Sequence, residues 1–304
     1  MAQFRTLILL AALSLYGVQV PPQNPFEKVG HVQTKNIDEV SGTIKSTRYP
    51  DTYWVHNDSG DSARIFAIHA DGSVIAPPKS KTPSDGFNVL GAFNTDWEDI
   101  TSDGDNLYIS DMGNNHNDRR DLAIYVLPEP NPYTVQKAHV LKRLPVVYPD
   151  QTEYPPEGNY DWDCEAIFYR NHKLWLVTKH RLGSVLPAKT TCLYVMETQF
   201  TDKVNVLRKV DERKDMPGWV TGAAMSPDGK TLAVLTEKPI KSVTLYDVPK
   251  RGFKLLSQPS RRLFLGANAS QCESVCFDGS NDSLIVTNEQ GDIMRVNTAQ
   301  FSKL

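Results

Sequence analysis

The sequence predicts an all-β protein, a β-propeller of five four-stranded blades, and three observations carry that prediction. Helical periodicity is almost absent, and short β-rich runs alternate with Gly, Pro, Asn and Asp turns. A unit of such runs recurs five times without a linker. A strand-like run near the N-terminus, KVGHVQTKNI, is left without a unit, while the fifth unit ends one run short.

The first unit opens with EVSGTI, returns as TYWVHND and continues as RIFAIH. The second reads DWEDIT, NLYISDM, LAIYVL and then HVLKRLPVV. The third reads DCEAIF, KLWLVTK, CLYVME and NVLRKV, and the fourth VTGAAM, TLAVLTE, VTLYDV and FKLLS. The fifth reads QCESVC, SLIVTNE and DIMRVN. The unit starts at Ser41, Glu98, Glu165, Thr221 and Glu273 lie 52 to 67 residues apart, a spacing that suits four-stranded propeller blades. SDGDN and SPDGK are the hairpins between first and second strands. KVGHVQTKNI supplies the missing strand of the fifth blade and closes the ring, which removes an exposed sheet edge. Six blades are the main alternative count. A sandwich or two smaller β domains are the competing architectures.

With 304 residues and 40% hydrophobic side chains the chain can bury a full core as one domain. The formal charge of -3 gives no basic excess for a phosphate backbone or a membrane surface, so neither nucleic acid nor membrane is an expected partner. Arg5 followed by the apolar run Leu7 to Leu15 reads as a signal peptide over residues 1–20. Residues 21–304 then form the propeller, a secreted or extracytoplasmic monomer. Cys164, Cys192, Cys272 and Cys276 lack the paired spacing of a zinc site. Cys272 and Cys276, four apart in a strand, are about 13 Å from each other and do not pair without a bend. Export would make the sequons at Asn57, Asn268 and Asn281 relevant in a glycosylating host.

The first strand of a propeller blade lines the channel and the second returns antiparallel. The start of strand one and the end of strand two therefore open on one face. That rule gathers Ser41, Glu98, Glu165, Thr221 and Glu273 at the channel mouth, with Asn57, Asp111, Thr178, Thr236 and Asn288 around them. The polar turn VHNDSGDS belongs to this second ring, at the end of a scaffold where function usually sits. At about 5 Å and an effective dielectric near 20, each pair of bare carboxylates costs roughly 3 kcal/mol, so the ring should capture a cation or raise its pKa values. The five side chains offer only oxygens, which points to Ca²⁺. Hydrogen bonding to backbone and water is the competing use of the same groups.

The order Ser, Glu, Glu, hydroxyl, Glu around five blades resembles the calcium-activated nucleotidases, or soluble apyrases, with NDSGD in place of that family's acidic turn. Gly42 and Thr221 depart from the family, which has an acidic residue and a serine there. HNDSGD and DWED also look like secreted bacterial propellers of no assigned activity. The first resemblance implies Ca²⁺ in the channel and Asp58 facing a substrate. A Ca²⁺-dependent hydrolase of phosphate esters or anhydrides would use Asp58 or Asp111 to position water, or His56 as base. A binding propeller would instead hold a small anionic molecule, a glycan or a protein on the same face, through Asn57, Lys179, His180, Arg181 and Lys238, with Arg119 and Arg120 nearby. Trp97 and Trp162 either floor the pocket or fill between blades. No GxSxG elbow, Walker loop or HExxH helix occurs, and binding is the reading preferred from sequence.

Overall fold

A computed structural model describes residues 24–304 apart from 78, 79, 81, 83 and 84. Residues 1–20, where a signal peptide is expected, lie outside the described residues. Five sheets, antiparallel except where Lys137–His139 joins Phe87–Leu90 and Asn205–Val206 joins Lys142–Val147, form a ring, a five-bladed β-propeller. Its first strands, Val40–Lys45, Trp97–Ser102, Tyr160–Arg170, Gly218–Met225 and Cys272–Phe277, each pack against the first strands of both neighbouring blades. Glu27–His31 pairs with Asp292–Asn297 and completes the fifth blade, so the chain closes on itself as its leftover strand predicts.

The hydrophobic core is divided among the interfaces between blades. One cluster of buried side chains fills each of the five, from Trp54, Trp97 and Tyr125 between blades one and two to Val40, Phe66 and Ile285 between blades five and one.

One predicted element is corrected. FKLLS does not form the fourth strand of blade four, which is Ser260–Phe264. Leu255 and Leu256 are instead wholly buried between blades three and four, and Ser257 donates to Asp211, so this irregular stretch fills a gap that a flat strand would not.

Every first strand carries a β-bulge at the same place. Register with the second strand shifts between Val40 and Gly42, Trp97 and Asp99, Cys164 and Ala166, Val220 and Gly222, and Cys272 and Ser274. The extra residue is in turn Ser41, Glu98, Glu165, Thr221 and Glu273. A bulge re-aims one side chain and inverts the alternation beyond it. Cys272 accordingly faces blade four while Cys276, four residues on, faces blade one. All four thiols are buried and unpaired.

Candidate functional site

The bulges deliver the five unit-start residues to one end of the channel, and the ring they make is not symmetric. Ser41 Oγ donates to the Glu98 carbonyl at 2.7 Å and Thr221 Oγ1 to the Cys272 carbonyl at 2.9 Å. Both hydroxyls thus tie one blade to the next, leaving lone pairs but no free proton. The carboxylates crowd toward blades one to three. Oxygen atoms of Asp58, Asp96 and Glu98 lie within 4.8 Å of one another, as do those of Glu98, Asp163 and Glu165. Glu273 adds its charge to that of Glu165 from the far side.

The second triplet already has a cation. Lys179 Nζ stands 2.6 Å from Glu165 Oε1, and Arg181 Nη1 2.7 Å from Asp163 Oδ2. Burial alone would raise Asp163, but Lys179, Arg181 and the Asn114 N–H hold it below the usual carboxylate range. Burial alone would lower Lys179, and Glu165, Asp163 and Glu98 hold it above the ordinary lysine range. Both cations lie over Trp219, at 5.4 Å from its ring centre.

Among the described residues no cation pairs directly with the first triplet, although Lys179 and Arg119 act from farther off to lower Asp58 and Asp96 respectively. Burial and then the charges of Asp58 and Asp163 push Asp96 up to about 7. Glu98 is raised well above its usual range by burial and by Glu165, Asp58 and Asp96. Burial also raises Asp58, whose Oδ1 accepts from the Ser59 N–H. Gly113 makes the crowding sterically feasible, because a β-carbon there would overlap Glu98 Oε1 and stand 2.5 Å from Asp96 Cγ.

The remaining predicted residues are distributed as follows. His56 is wholly buried, edge-on to Trp97, its Nδ1 2.9 Å from the Asn57 carbonyl, and burial lowers it to about 4. Asn57 is buried and donates to the Asn36 carbonyl and Asp61, which occupies the amide of that sequon, whereas Asn268 and Asn281 are exposed. Asp111 is buried against Arg119 at 3.0 Å and also accepts from the Asp96 N–H. His180 turns away from the mouth, between Thr178 at 2.6 Å and Thr190 at 3.0 Å. Lys238 is exposed. Trp97 is wholly buried and fills between blades one and two, while Trp162 is partly buried and donates to Asp150.

Asp96, Asp163 and Asp99 are the residues that sequence reasoning passed over. Asp96 and Asp163 each stand two before a ring glutamate, in DWED and DWDCE, and Glu39 holds the same offset from Ser41. Blades four and five place Trp219 and Gln271 there. Asp99 follows its bulge residue where the other blades have Gly42, Ala166, Gly222 and Ser274. Its carboxyl accepts the Ile100 and Ile167 N–H groups, both at 2.8 Å, and burial raises it well above the carboxylate range. It bridges blades two and three in the middle of the channel.

No family model and no curated protein matches this chain. Among solved structures it is similar to a chain of "Crystal Structure of Mitotic Checkpoint Complex", with 8% identity and a TM-score of 0.43 over 85% of this chain and 74% of that one.

Proposed function

We propose that this chain is an exported binding propeller whose acidic channel mouth holds one Ca²⁺ through Asp58, Asp96 and Glu98. The ion then helps to take a small anionic molecule, a glycan or a protein on the same face. The single observation that carries the reading is the Asp58, Asp96 and Glu98 triplet, whose oxygens lie within 4.8 Å of one another. Its donors are all hard oxygens, and one cation at about 2.3 to 2.6 Å from each would relieve their repulsion. Glu273, Ser41 and Thr221 offer further oxygens around the mouth. Lys179 and Arg181 serve first as internal counter-ions, which leaves the metal and the exposed Lys238 as the positive groups for a ligand.

Binding rather than hydrolysis is supported by the state of the basic groups. Of the two bases that the sequence offered beside Asp58, His56 has no exposed surface and Asp111 is paired with Arg119. Export rests on the charged and apolar pattern of residues 1–20.

Thermal unfolding of metal-stripped protein in CaCl₂ or MgCl₂, with phosphate release assayed from nucleoside diphosphates and 4-nitrophenyl phosphate, tests the proposal. A ligand that binds only the folded state raises the midpoint. We expect Ca²⁺ to raise it more than Mg²⁺, Asp58→Asn to abolish the rise, and no phosphate to appear. An unchanged midpoint in Ca²⁺ would overturn the metal site. Phosphate release that disappears in Asp58→Ala would turn the reading to a Ca²⁺-dependent phosphohydrolase.

A further inference from the structure

A second concave site lies on the outer flank of blade two, beyond the channel, and its chemistry is opposite to that of the mouth. A cavity of about 490 Å³ is lined by three arginines, Arg119, Arg120 and Arg143, in a chain of net charge -3. Arg119 is committed to Asp111 and Asp121. The other two are exposed and meet no carboxylate among the described residues. Arg143 donates through Nη2 to the Asp121 carbonyl at 2.8 Å, which fixes the guanidinium while leaving its other N–H groups free. Arg120 is held by an aromatic ring, its guanidinium carbon 4.0 Å from the centre of Tyr154.

Asp121, whose carboxylate is paired with Arg119, and Gln151, which donates to the Asn117 carbonyl, are the other polar members of the lining, and the rest is apolar or aromatic. Val204 and Val206, 50% and 58% exposed, stand on the wall contributed by the segment that pairs with the blade-two edge. Tyr148 completes the lining, and its buried hydroxyl has no hydrogen-bond partner. Guanidinium groups fit planar oxyanions with two parallel hydrogen bonds, and an aliphatic and aromatic wall beside them favours a ligand with an apolar body.

We infer that this cavity binds an organic anion, an oxyanion head joined to a planar apolar body, with Arg120 and Arg143 gripping the head and Val204, Val206 and Tyr154 covering the body. The inference does not rest on the metal proposed at the mouth, although Arg119 of the lining pairs with Asp111, which accepts from the Asp96 N–H. Aryl carboxylates and aryl phosphate monoesters share the required chemistry, and separate probes distinguish them.

The experiment is isothermal titration of the whole protein with 2-naphthoate, 2-naphthyl phosphate and the neutral 2-naphthol, repeated with Arg120→Gln/Arg143→Gln and with Val206→Asp. Both double-variant positions are exposed, so the fold is expected to survive, and circular dichroism checks it. At least one anion should bind one to one, weaken as salt rises, and bind at least tenfold more weakly to either variant, while 2-naphthol binds at least tenfold more weakly than the better anion. Whichever anion binds more tightly names the head group. Absence of binding by both anions, or equal affinity in wild type and the arginine double variant, would overturn the inference. Calcium titration of the same samples reports on the mouth separately, so either site can fail without the other.

Discussion

Lys179 Nζ and Glu165 Oε1 meet at 2.6 Å inside the channel mouth, where the protein supplies its own cation to half of an acidic ring. Removing one member of a buried ion pair leaves the other charge uncompensated, at a cost of about 3 to 5 kcal/mol. Lys179→Met should therefore destabilise the metal-free protein by about that amount in urea unfolding at pH 8. The loss should be smaller at pH 5, where Glu165 takes up a proton more readily. Equal losses at both pH values would show that the lysine acts through packing alone.

Gly113 is the steric condition for the triplet. Its backbone is not left-handed, so alanine is conformationally acceptable, but the new methyl would overlap Glu98 Oε1. Gly113→Ala should keep the far-ultraviolet circular dichroism of the wild type and weaken Ca²⁺ binding at least tenfold. Unchanged affinity would place the ion elsewhere.

The mouth carboxyls also set a pH dependence. Asp96 and Glu273 are each raised to about 7 by burial foremost, so the folded chain binds more protons than the unfolded one between their unfolded values and about 7. Their contribution is complete at low pH and is lost as pH rises through about 7. His56 and His180, lowered to about 4 by burial, act in the opposite sense below their ordinary value of 6.5. Above that value only the carboxyls remain, so the unfolding midpoint of metal-free protein should fall between pH 6.5 and 8. Saturating Ca²⁺ should flatten the fall, because it keeps the same carboxylates ionised. A midpoint that rises over this interval in metal-free protein would contradict the assignment.

Asp99 locks blades two and three from within the channel. Asp99→Ala strands the Ile100 and Ile167 N–H groups, which bond to different carboxylate oxygens, at about 1 to 3 kcal/mol each, whereas Asp99→Asn keeps an acceptor for one of the two. Urea unfolding should find the alanine variant less stable than the asparagine variant by at least about 1 kcal/mol. Similar stabilities would remove the bridging role.

The blades were legible because a four-run order repeated five times is a long-range pattern that no single turn can imitate, and the unpaired KVGHVQTKNI run made closure legible too. The unit starts were readable as a ring because each sits at the same step of the repeat, although the bulge that re-aims it leaves no composition signal. What the sequence concealed was the breaking of that symmetry. Lys179 and Asp58 occupy the same step of the repeat, one past the second-strand ring, so their opposite charges looked like alternative ligand contacts. Only the spatial order of blades one to three reveals that Lys179 neutralises Glu165 while Asp58 joins Asp96 and Glu98. FKLLS misled for a local reason, since its β-type residues are buried as an interface plug rather than paired in a ladder.

Isothermal titration of metal-stripped protein with CaCl₂ at pH 7.5 tests the central claim most directly. One ion per chain should bind to the wild type, with binding lost in Glu98→Gln and retained in the distant Arg120→Gln. Absence of binding by the wild type, or undiminished binding by Glu98→Gln, would contradict it.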